Sequence, residues 1–97
     1  MDKLELLVNK VVNIIEEEYD EARLNKNTSK NWVSVLEDVL GYLNEADAKG
    51  DTPLGLWTTT FVMMTTEYCM YKEDENIKNK IEELENKITE MADSLGF

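Results

Sequence analysis

The sequence predicts an all-α fold, three or four helices packed as a small bundle in a single domain covering residues 1–97. Three observations carry this. The length of 97 residues suits one domain with a modest core. Four Gly and one Pro leave few places for the chain to turn, so long helices become the default. Apolar residues recur at three- and four-residue steps through four stretches, which is helical spacing.

The first helix is expected over about residues 2–24. Leu4, Val8, Val11, Ile15, Tyr19 and Ala22 form its apolar stripe. Leu7, Val12 and Ile14 widen that stripe, so the helix should touch more than one neighbour. Residues 25–29 form a polar connection in which Asn27, Thr28 or Ser29 can cap the next helix. The second helix is expected over about 30–48, with Trp32, Val35, Leu36, Val39, Leu43 and Ala46 inward and Gly50 ending it. Asp51-Thr52-Pro53 then supplies a capping residue followed by a proline suited to a first helical position.

The third helix is expected over about 53–72. Trp57, Phe61, Met64, Tyr68 and Tyr71 make one row, and Leu56, Met63 and Met70 a second. No charge occurs from Thr52 to Thr66. A helix apolar nearly all round is central or lies in an interface, and the expectation is that this one is the most buried. Thr58 to Val62 would also suit a strand, but the length and the leading proline favour helix.

The fourth helix is expected over about 73–95. Ile77, Ile81, Leu84, Ile88, Met91 and Leu95 follow a coiled-coil-like heptad. That seam suits either the inside of a bundle or a dimer contact. A homodimer is expected, with Ile77, Ile81, Leu84, Ile88 and Met91 as its seam. The third and fourth stripes are out of phase, so residues 72–76 hold a turn, a kink or a discontinuity in one long helix.

Composition narrows function. The formal net charge is −11, from 21 acids against 10 bases. Such a chain repels nucleic-acid phosphates and anionic membranes, and it favours a basic protein partner. With no His, histidine catalysis and histidine metal ligation are absent. The single Cys69 rules out an intramolecular disulfide and is expected to be a buried free thiol. The start of the chain does not read as a signal peptide, and residues 54–71 are too polar for a membrane span. A cytoplasmic location in a bacterial host is expected. No cofactor or metal is expected.

Two acidic groups are the candidate partner-binding residues: Glu16, Glu17, Glu18, Asp20 and Glu21 first, then Glu73, Asp74 and Glu75. The first group opposes the dipole at its helix C-terminus, a local cost that hints at use elsewhere. Carboxylates at helical spacing can imitate a phosphate backbone and occupy a partner's nucleic-acid channel. In size and acidity the chain is similar to small phage inhibitors of bacterial defence, including anti-CRISPR proteins, and to immunity proteins against nuclease toxins; the likeness is one of class and rests on no shared motif. It implies a non-enzymatic inhibitor or adaptor, encoded by a phage or mobile element, that occludes a basic surface.

Glu17-Glu18-x-x-Glu21 also resembles the first half of the acidic motif of all-α nucleotide pyrophosphohydrolases of the MazG type. That resemblance implies Mg²⁺ held between helices, with Asp38 matching part of the second acidic pair. Val35 stands where the family has its other Glu, so the motif is incomplete. A purely structural helical oligomer is the third expectation.

Overall fold

A computed structural model describes residues 2–97 and contains four helices: α1 (Lys3–Leu24), α2 (Lys30–Ala48), α3 (Pro53–Tyr71) and α4 (Glu75–Ser94). No strand occurs among the described residues.

Each boundary has a local cause. Asp2 caps α1 by accepting a hydrogen bond from Glu5 N at 2.8 Å. Ser29 caps α2 through Asn31 N. Gly50 adopts a positive φ of 74° after α2, and Asp51 N donates to Ala46 O, which closes the helix with a left-handed residue. Thr52 caps α3 through Gly55 N, with Pro53 at the first helical position.

The junction of α3 and α4 is a turn. Asp74 N donates to Tyr71 O, and the Asp74 carboxylate accepts from Asn76 N and Ile77 N. A polar cap alone therefore breaks the helix, with no glycine or proline needed.

The helices pack in sequence order, α1 on α2, α2 on α3 and α3 on α4, with further contact of α1 against α3 and α4. Side-chain pairs fix their directions. Tyr19 on α1 reaches Glu37 on α2, and Tyr68 on α3 reaches Glu82 on α4. Lys87 of α4 pairs with Glu18 of α1, while Lys3 lies over the Phe97 ring at the opposite end. Successive helices are thus antiparallel, and α4 returns antiparallel to α1.

The core contains Leu7, Val11 and Ile15 from α1, all six expected positions of α2, and Ile77, Ile81, Leu84 and Ile88 from α4. Three expectations need correction here. Ile77, Ile81, Leu84 and Ile88 are buried within one chain and Met91 is half-buried. They serve the intrachain core and are not an oligomer seam, because α3 and α1 already cover that stripe. The third helix is also not the most buried. Only Thr60, Met64 and Glu67 of α3 are buried, while Leu54, Phe61, Val62 and Met70 are exposed. Cys69 is exposed on the same helix, contrary to the buried thiol expected.

Candidate protein-binding surfaces

The first acidic group divides in two. Glu16, Glu17, Asp20 and Glu21 are exposed on the last turns of α1. Glu18 is half-buried and accepts a hydrogen bond from Lys87 Nζ at 3.1 Å. That bond, with the added fields of Glu21 and Glu83, holds the Lys87 ammonium above its ordinary pKa. Lys80 lies in the same groove as Glu18 and Glu21, stacked over the Trp32 ring at 5.8 Å from its centroid. The acids at the end of α1 that face α4 therefore meet lysines, and those that face outward do not.

The second group divides as well. Asp74 caps α4, so its carboxylate is engaged by backbone N–H groups. Glu73 and Glu75 are exposed on either side of it. The α1–α2 loop and the first turns of α4 line one groove, containing Asn25, Ser29, Asn76, Lys80 and Glu83. Antiparallel packing thus brings the end of α1 and the start of α4 to the same end of the bundle. The two acidic groups share that end although more than fifty residues separate them in sequence.

The pyrophosphohydrolase resemblance finds its residues on different sides. Glu21 stands beside α4, whereas Asp38 stands beside Glu67 of α3. Among the described residues no three His, Cys, Asp or Glu side chains converge to hold a metal ion. No helix among them is long and apolar enough to cross a membrane.

Glu67 is the residue that sequence reasoning missed. It is 3% exposed, and one carboxylate oxygen has no hydrogen-bond partner. Burial, then the charge of Asp38, raises its pKa above the ordinary carboxylate value. A signal did exist: Thr60, Met64, Glu67 and Tyr71 recur at +4, +3, +4, a row that shares Met64 and Tyr71 with the Trp57–Phe61 row but turns Thr60 and Glu67 inward. The apolar row is the more conspicuous one, and burial follows its neighbour instead.

The outward face of α3 is the reverse of an ordinary surface helix. Leu54, Val62 and Met70 are 60%, 57% and 66% exposed, and Phe61 is 41% exposed with its ring edge-on to Trp57 at 4.4 Å. The helix's single charge points inward. Its five threonine hydroxyls all donate to carbonyls four residues earlier, at 2.8–2.9 Å. Outward threonines therefore show methyl groups, and the face carries no charge.

Comparisons with protein families, curated proteins and solved structures find no match to this chain.

Proposed function

We propose that this chain is a non-enzymatic acidic binding protein, an inhibitor or adaptor, that covers a basic surface on a protein partner. The single observation that carries the reading is the sharing of one bundle end by two exposed acidic groups. Glu16, Glu17, Asp20 and Glu21 come from α1, with Glu73 and Glu75 beside α4. Lys80 and Lys87 face the α1–α4 groove, where they meet Glu18 and Glu21, while Glu16, Glu17, Asp20, Glu73 and Glu75 stay exposed. Such a surface steers a basic partner during encounter and suits a groove built to hold phosphates. A nucleic-acid-binding effector of a bacterial host fits that chemistry, and a phage or mobile-element origin fits the size and acidity. Glu18 and Asp74 take a positioning part, since each is already engaged within the chain.

The test is capture of host proteins on the immobilised chain, followed by affinity measurement against salt. Affinity should fall steeply from about 50 to 500 mM salt. Charge reversal at Glu17, Asp20 and Glu21 should abolish capture while the helical content stays unchanged. Binding indifferent to both salt and charge reversal would sink the reading.

A further inference from the structure

We propose that the outward face of α3 is a second docking surface, and that its occupant is an amphipathic helix of a partner protein with an apolar stripe flanked by Lys or Arg. The proposal shares with the reading above only the basic character of the partner. It uses a different face of the molecule.

Three features lead to it. The face is apolar along the full length of a 19-residue helix, with Leu54, Phe61, Val62 and Met70 exposed. A patch of that extent on a chain this charged marks an interaction site. Next, the outward hydroxyls of Thr58, Thr65 and Thr66 are already hydrogen-bonded to the helix's own carbonyls. Covering the face strands no donor, so desolvation costs little.

The third feature names the occupant. Carboxylates flank the face on its α4 side, while Asp38 of α2 stands beside the inward Glu67. On the α4 side, Glu85 lines a cleft with Phe61 and Met64, and Glu82 lies at the Tyr68 hydroxyl. Burial and the neighbouring Glu82 raise the Glu85 pKa, which an incoming cation would relieve. The lysine in this row of α4, Lys78, lies one turn before Glu82, toward the α3–α4 turn. A helix laid along α3 would place its apolar stripe on Val62 and Phe61 and its basic flank on Glu82 and Glu85, the helix-in-groove mode of recognition. A second copy of this chain fits less well. Two-fold pairing brings each patch against itself, so it would press an acid-flanked face against another.

The probe is a synthetic Leu/Lys peptide of about 18 residues, with Leu on one helical face and Lys beside it, to match the length of α3. Its control is a permuted peptide of the same composition without an apolar face. Binding to the full chain is followed by calorimetry, and the oligomeric state of the chain alone by sedimentation.

The ordered peptide should bind about tenfold or more tightly than the permuted one, because only it can bury apolar surface. Val62→Glu should weaken binding by about tenfold or more, since it places a charge under the apolar stripe. This substitution adds negative charge, so attraction by charge alone predicts the opposite change. Glu82→Lys with Glu85→Lys should also weaken binding, and by more than Glu17→Lys with Glu21→Lys, which makes the same change of charge away from this face.

Equal binding of the two peptides, or unchanged or tighter binding to Val62→Glu, overturns the proposal. So does a dimer of the chain alone that Val62→Glu dissociates, which would make a second copy the occupant. Loss in the Glu17/Glu21 variant with none in Val62→Glu would assign the peptide to the acidic end instead. Failure of this face and failure of that end therefore give different patterns.

Discussion

Helices α3 and α4 are neighbours of nearly equal length, and they bury opposite things. In α4 the apolar row Ile77, Ile81, Leu84 and Ile88 goes inward and the acids go outward. In α3 a carboxylate goes inward and Leu54, Val62 and Met70 go outward. The contrast shows that apolar content and apolar phase are separate signals. Helix α4 has few apolar residues in strict register, so its orientation is dictated. Helix α3 has many on all sides, so its orientation is set by what its neighbours leave open.

Substitutions can sharpen that contrast, and the largest expected effect is in the core row. Ile81→Ala should cost about 2–5 kcal/mol by chemical denaturation, through lost burial plus the cavity it leaves. Val62→Ser, on the outward face of α3, should stay within about 0.5 kcal/mol of the parent. A Val62→Ser cost approaching that of Ile81→Ala would break the distinction between the two helices.

Glu67 gives the next effect, of opposite sign. Glu67→Met should stabilise the chain by about 1–3 kcal/mol near neutral pH, because it removes a buried, incompletely paired carboxylate. The sign with pH comes from its raised folded-state pKa. The folded chain holds that proton more tightly than the unfolded chain, so Glu67 is least unfavourable when protonated. The advantage of Glu67→Met should therefore shrink as pH falls toward the unfolded value of about 4.3. Denaturation midpoints at neutral and acid pH check this; a constant difference would place the cost elsewhere.

Asp74→Ala should cost about 1 kcal/mol, as loss of a helix cap does. Its further consequence is local: hydrogen exchange at Asn76 and Ile77 should quicken before that of the α4 centre. Smallest of all is the Glu18–Lys87 pair. Lys87→Ala should cost about 0.5 kcal/mol or less, and that cost should fade with added salt.

Much of the fold was legible in the sequence, for identifiable reasons. The inward row of α2 can be read directly, because Trp32, Val35, Leu36, Val39, Leu43 and Ala46 keep one phase, with Ser34, Glu37, Asp38, Asn44 and Glu45 on the far side. Gly50, Thr52 and Pro53 mark their boundary by chemistry that few other residues can supply. The α3–α4 turn is half legible: the phase break is visible, but capping by Asp74 is a three-dimensional fact. The acidic groups are visible as runs, yet Lys80 and Lys87 face only part of them, and that depends on packing. The burial of Glu67 was hidden by the surrounding apolar residues, which offer a helix several plausible inward faces.

The sequential packing of the helices also bears on how quickly the chain can find its fold. Three short connections join antiparallel neighbours, and each helix makes its first contacts with the one just before it. Little loop entropy has to be lost before those contacts form, and topologies of this kind fold within about microseconds to milliseconds. Such a chain would begin to order soon after synthesis, and the outward face of α3 would be settled only once α4 has packed against it.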